Sequence, residues 1–149
     1  MPANRDEAPR RAAARRASGF TLIELLVVLA ILGLLAAIVA PRVLTYLGRA
    51  KTDTARVEIK NIETGLDLFN VDVGRYPTQQ EGLDALLAAP SGVPSWRGPY
   101  LNAKGALDDP WRHPYHYDIP GRHGTYDLYS YGADNAPGGS GDNQDVSNW

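Results

Sequence analysis

With 149 residues, 15 Lys and Arg against 17 Asp and Glu, and a net charge of −2, the chain has room for one modest domain. Its folded part carries no basic patch, which excludes nucleic acid as a partner, and with no cysteine it has no disulfide framework. The charge is unevenly placed: residues 1–19 hold five Arg against Asp6 and Glu7, a net +3, which leaves −5 on the remainder.

Past Gly19 the sequence turns apolar and stays so through Ala40, a run of 21 residues with a single charge, Glu24. A secretory signal has an apolar region of roughly 7–15 residues, whereas about 20 are needed to span a bilayer as a helix. The run leads into Pro41-Arg42 and further helical pattern rather than into a small-residue cleavage site, so it is expected to be retained. Positive residues stay on the cytoplasmic side, which puts residues 1–19 inside and the acidic domain outside. Within the span an unpaired Glu24 costs roughly 2.5–3.5 kcal/mol. Cleavage between Gly19 and Phe20 would create an ammonium group on Phe20, close enough in sequence to pair with Glu24 of the same chain or of a neighbour.

Gly19-Phe20-Thr21-Leu22-Ile23-Glu24 resembles the class III signal of type IV pilins and pseudopilins. The resemblance implies that a prepilin peptidase removes residues 1–19 and that Phe20 is N-methylated. It also implies that Glu24 registers each subunit against the Phe20 amine of the next. Residues 20–41 then form a transmembrane and assembly helix, and residues 42–149 a periplasmic head that includes the amphipathic half of the helix.

Pro41 removes a backbone donor and is expected to kink the helix without ending it, because the helical pattern resumes at once, and Gly48 is a second weak point. Ala55, Ile59, Ile62, Leu66, Phe69 and Val73 then recur three and four residues apart between charged and polar positions, which predicts an amphipathic helix with one face on a core. A continuous helix over 21–73 would be about 80 Å long, more than so small a domain covers, so its first half is expected to protrude as the stalk of a lollipop. The stalk needs lipid or sister stalks around it; Gly33, Ala36 and Ala37 offer surfaces for close helix approach.

Gly74-Arg75-Tyr76-Pro77 is read as the helix stop, and Thr78-Gln79-Gln80-Glu81 as a capping box opening a short second helix to about Ala88. Residues 95–101 read as a loop pinned by aromatics, and Asp108-Asp109-Pro110-Trp111 as a tight turn. Two alternating segments, Tyr115 to Ile119 and Tyr126 to Ser130, predict a β-hairpin or part of a three-stranded sheet laid on the long helix. The expected fold class is α+β.

Gly74-Arg75-Tyr76-Pro77-Thr78, Trp96-Arg97-Gly98-Pro99-Tyr100-Leu101, Asp109-Pro110-Trp111 with Pro114-Tyr115, and Asp127-Leu128-Tyr129-Ser130-Tyr131-Gly132-Ala133-Asp134 are together similar to the major pseudopilin of type II secretion, the general secretion pathway protein G family. The resemblance covers residues 19–149. It implies a pilin-like fold, polymerisation into a periplasmic pseudopilus, and export of folded proteins across the outer membrane. The partners it implies are further copies of the chain, minor pseudopilins, an inner-membrane secretion platform and the prepilin peptidase, with the inner membrane as host before assembly.

The tail from Tyr131 to Asp145 is rich in Gly, Asn and Asp and poor in apolar residues. Three carboxylates among backbone and side-chain oxygens suit calcium, which takes 6–8 oxygen ligands, although the spacing is not that of an EF-hand. The resemblance implies a calcium ion in this loop. The Tyr131 carbonyl and Asp134 match best, with Ser140, Asp142 and Asp145 as further candidates.

Catalysis has little support. His113, His116 and His123 sit among Pro, Tyr and Gly with no Cys or Glu at zinc-ligand spacing, and no nucleophile elbow or phosphate loop occurs. The aromatic set Trp96, Tyr100, Trp111, Tyr115, Tyr117 and Tyr126 reads as a small core rather than a ligand platform. The expected function is therefore structural. A type IV or competence pilin is the nearest alternative, disfavoured by the lack of cysteine to close a C-terminal loop. A signal-anchored periplasmic enzyme or binding module is the alternative of another class.

Overall fold

The computed structural model describes residues 19–102 and 104–149, so the leader lies outside the described residues except for Gly19. The chain divides into two compact units that meet between Val39 and Ala40. One helix, α1 (Leu22–Val73), supplies the described helical part of the first unit and the opening element of the second. It passes through Pro41 without ending, and Thr45 Oγ1 donates to the Pro41 carbonyl at 3.0 Å. The helix stops at Gly74, whose φ of 82° no L side chain adopts readily and whose N–H donates to the Asn70 carbonyl at 2.8 Å.

In the second unit α1 buries the face predicted from its spacing. Ala55, Ile59, Ile62, Leu66 and Phe69 are each at most 2% exposed, and Val73 is half-buried at the edge. Full burial of such side chains is worth about 1.5–3 kcal/mol each, which makes this stripe the main attachment of the helix to the rest of the unit. Opposite it lie Tyr115, Tyr117, Tyr126, Leu128 and Val146, with Leu83, Ala85 and Leu86 alongside. Tyr115 donates to Glu58 at 2.7 Å and Tyr117 to the Pro77 carbonyl at 2.8 Å, so each buried ring keeps its hydroxyl satisfied. Burial raises both phenol pKa values, and the Glu58 carboxylate adds to the effect at Tyr115.

The sheet has three antiparallel strands in the order β1 (His116–Asp118), β2 (Asp127–Ser130), β3 (Val146–Ser147). Tyr117 pairs with Leu128 and Ser130 with Val146, all four buried, while His116 and Tyr129 pair on the other face with their rings stacked 5.0 Å apart. Asp127, buried at the start of β2, closes the β1–β2 connection by accepting the Arg122 and His123 backbone N–H groups at 2.9 and 3.1 Å. Burial pushes its carboxyl pKa up, but those amides and the His123 ring outweigh burial and hold it below the usual range.

The segment read as a second helix is shorter and differently wound. The capping box forms, with Glu81 N donating to Thr78 Oγ1 at 3.2 Å and Thr78 N to Glu81 Oε2 at 2.8 Å. The helix that follows is a 3₁₀ turn over Leu83–Leu86, because Gly82, with φ 56° and ψ −165°, breaks the backbone path straight after the box. The aromatic loop holds as expected: the Trp96 indole donates to the Ala85 carbonyl at 2.8 Å and packs edge-on against Tyr100. Asp109 organises the next turn, accepting the N–H groups of Trp111 and His113 at 3.0 and 2.9 Å and the Ser130 hydroxyl.

Candidate functional site

Two regions carry the residues expected to act: the start of α1 and the C-terminal loop. Thr21 opens the helix, its carbonyl accepting from the N–H groups of Glu24 and Leu25 at 3.1 and 3.2 Å and its hydroxyl from Glu24 N–H at 3.3 Å. Glu24 falls in the first turn, where the helix dipole favours an anion. Every residue from 19 to 47 is exposed, including Phe20 at 73% and Leu22 at 81%. The Glu24 carboxylate forms no ion pair among the described residues. A Cβ built on Gly33 would meet nothing within 4 Å, so its small surface faces open space in the single chain.

This region has the length and composition of a bilayer span, and nothing among the described residues covers it. An apolar helix of that kind can be satisfied by lipid or by other helices, and its one carboxylate needs a cation from outside the described side chains.

The C-terminal loop runs through a 3₁₀ turn at Gly132–Asp134, a second at Gly141–Asn143, and then β3. It is anchored more firmly than its composition implied. Val146 is 3% exposed, and Asn148 exchanges hydrogen bonds with Leu128, N–H to carbonyl and N–H to side-chain oxygen, each at 3.0 Å. Gly132 (φ 73°) and Gly139 (φ 82°) sit against backbone of residues 142–144 with no room for a Cβ.

The expected calcium ligands are dispersed within this loop. Asp134 is exposed, with Oδ1 accepting the Ala136 N–H at 3.2 Å. Asp145 uses Oδ2 to accept the Gly138 N–H at 2.9 Å, while its Oδ1 is buried with no hydrogen-bond partner. Ser140 is extended and exposed, and its carbonyl accepts the Asn143 N–H at 3.3 Å. Tyr131 is half-buried ahead of the first turn, its ring 5.1 Å from that of Tyr129. Asp142 is exposed, and its Oδ1 lies over Gly48 of α1, where a Cβ would stand. Among the described residues no three His, Cys, Asp or Glu side chains converge as a metal cluster. The orphaned Asp145 oxygen is nevertheless the feature a cation would resolve, since a buried carboxylate oxygen without a donor is costly and calcium accepts carboxylate and carbonyl oxygens together. Asp145 and Tyr131 line one cavity, and the carboxylate and carbonyl chemistry of Asp134, Ser140 and Asp142 suits the same ion, although these groups are not gathered around it.

Sequence reading missed the role of Gly48, which it took for a weak point, and the clamp made by Asp127. It placed the histidines well. His113 Nδ1 lies 3.1 Å from the Gly132 carbonyl, and His123 stacks on Trp149 at 4.1 Å beside Asp127. Each ring is engaged in structural contacts.

The fold and the exposed helix start define a helix-anchored, pilin-type subunit, and residues 14–40 match the family model described as the prokaryotic N-terminal methylation motif. Residues 42–149 match the model described as type II secretion system (T2SS), protein G, and the chain belongs to that family. It is 45% identical over 139 residues to the type II secretion system core protein G of Pseudomonas aeruginosa, covering 91% of this chain and 96% of that one. With the core protein G of Vibrio cholerae it shares 40% over 138 residues, 91% and 93% of the two chains. The crystal structure of the major pseudopilin from the type 2 secretion system of enterohaemorrhagic Escherichia coli is similar at a TM-score of 0.59 and 29% identity, covering 70% of this chain and 87% of that one.

Proposed function

We propose that this chain is the structural subunit of a periplasmic pseudopilus, stored in the inner membrane and polymerised by a type II secretion system to drive folded proteins through the outer membrane. Family membership supports this, and the observation that carries it is an apolar helix that no described residue covers, with Glu24 at its start unpaired among the described residues. Prepilin peptidase cuts after Gly19 and leaves a methylated Phe20 whose amine supplies the cation Glu24 lacks. The head lies in the periplasm, and the growing polymer works with minor pseudopilins on an inner-membrane platform. The Tyr131 carbonyl, Asp134, Ser140, Asp142 and Asp145 would hold a calcium ion that ties the C-terminal loop to the head; the ion would supply charge neutralisation and no chemistry.

Mass spectrometry of membrane-extracted protein tests the processing step: the expected chain begins at methylated Phe20. Glu24→Ala is expected to insert in the membrane at the wild-type level yet to yield at least tenfold fewer sheared fibres. An intact leader in assembled material, or normal fibres from Glu24→Ala, would overturn the mechanism.

A further inference from the structure

The second unit carries an unused helical surface. Opposite its buried stripe, α1 presents Leu47, Thr54, Asn61 and Leu68 seven residues apart, all exposed. Interleaved with these, again at sevens, come Val43, Ala50, Val57, Thr64 and Val71, also exposed; Val57 is 60% and Val71 79% exposed. No charge interrupts the two rows. Thr54 and Thr64 donate to the Ala50 and Lys60 carbonyls at 2.8 and 2.9 Å, which satisfies both hydroxyls within the helix. A strict 3.5-residue repeat of neutral positions over four heptads is the pattern of a helix that packs along a second helix, the first row in the a positions and the second in the d positions.

Flanking charges identify the partner and the register. The g positions hold Asp53, Lys60 and Asp67; the e positions hold Lys51, Glu58 and Asp72. Subunits that share a membrane lie parallel, and parallel helices pair each g with the e five residues on in the partner. In register, this sets Asp53 on Glu58 and Asp67 on Asp72, both repulsive. Displacing one helix by a single heptad removes every like pair and sets Asp53 on Lys51, Lys60 on Glu58, and Lys60 on Asp72. It also brings Asn61 level with Thr54. A two-heptad displacement restores repulsion, Lys60 on Lys51 and Asp67 on Glu58. Asp53 and Lys60 already pair with Arg56 and Glu63 of their own helix, but both are largely exposed, at 73% and 75%, and such pairs exchange at little cost.

We infer that the seam from Val43 to Val71 is the surface on which a second copy of this chain packs its own seam, parallel and displaced by one heptad. The inference rests on the assembly reading above. A displaced pairing of identical helices is heterologous: each copy leaves half its contact open for the next, so the array extends without closing. The step along the helix is about 10 Å, seven residues at 1.5 Å.

Cysteine crosslinking in the full-length chain separates this arrangement from its rivals, since the native sequence has no cysteine. Oxidised fibres of Leu47→Cys/Thr54→Cys are expected to give a ladder of disulfide-linked dimers, trimers and larger species, while either single variant gives none. Dimers from Thr54→Cys alone would show an in-register pair and overturn the displacement; assembled fibres of the double variant without crosslinks would overturn the seam. As a second measure, Asp53→Lys is expected to cut fibre yield at least fivefold by facing Lys51, and Asp53→Lys/Lys51→Asp to recover most of it. Wild-type yield from Asp53→Lys, or no recovery in the double variant, overturns the pairing. Absence of fibres from the unaltered chain, by contrast, counts against the assembly reading itself.

Discussion

Single residues decide how the head of this pseudopilin-family chain holds its loops, and Asp109 is the clearest case. It is 4% exposed and accepts from two backbone N–H groups and the Ser130 hydroxyl. Removing the carboxylate leaves the buried Ser130 hydroxyl and two half-buried N–H groups without their acceptor, at up to about 1–3 kcal/mol for each group left unpaired. Asp109→Ala is therefore expected to lose about 3 kcal/mol or more in urea unfolding, and Asp109→Asn, which keeps one acceptor oxygen and the shape, about 1 kcal/mol. Equal losses would mean that packing, not the hydrogen bonds, is at stake. At Gly48 the missing side chain matters in the same way: Asp142 lies where a Cβ would stand, so what reads in the sequence as a helix weakness is a seat for the tail. That role was invisible without the fold, because residues 48 and 142 meet only after the chain has turned back on itself.

At the level of elements, the amphipathic part of α1 was legible because its spacing is long and regular, and each predicted core residue from Ala55 to Phe69 is buried. The short pieces were less so. Strand β3 has two residues, Val146–Ser147, too few for alternation to register. The capping box was readable and its sequel was not, since the φ of Gly82 is set by how the Leu83–Leu86 turn docks. Here Arg75 joins in, its guanidinium bound in parallel to both Glu81 oxygens at 2.6 and 2.7 Å. This ion pair, with the Thr78 bonds opposing partial burial, holds the Glu81 carboxyl down from 4.5 to about 2. A depressed folded-state pKa contributes stability above the unfolded value that is lost as pH falls toward the folded one. Solvent screening of the partly exposed pair brings the contribution to about 1 kcal/mol. Glu81→Gln should thus be less stable than wild type by that amount at pH 7, with the gap closing between pH 4.5 and 2. A gap constant with pH would place the effect in the cap geometry instead.

At the scale of the molecule, the span, its carboxylate and the head motifs were all legible in the sequence, whereas the arrangement of the acidic tail was not: the family resemblance named five candidate donors, and the fold lays the Asp142 side chain over Gly48 of the helix. What remains is a loop fixed at its far end by Val146 and Asn148 and carrying one buried, unpartnered carboxylate oxygen on Asp145. A ligand that binds the folded state alone stabilises it by about 2.7 kcal/mol at a hundredfold excess over its dissociation constant. For a domain of this size each kcal/mol moves the melting temperature by about 4 °C. Chelation of calcium is therefore expected to lower the melting temperature of the intact chain by about 10 °C or more. Asp145→Asn should melt low in calcium and respond to chelator by no more than a degree or two, because the orphaned oxygen no longer offers a charge to the ion. Identical melting curves for the native chain with and without calcium would remove the ion from this loop and leave Asp145 to be explained by packing.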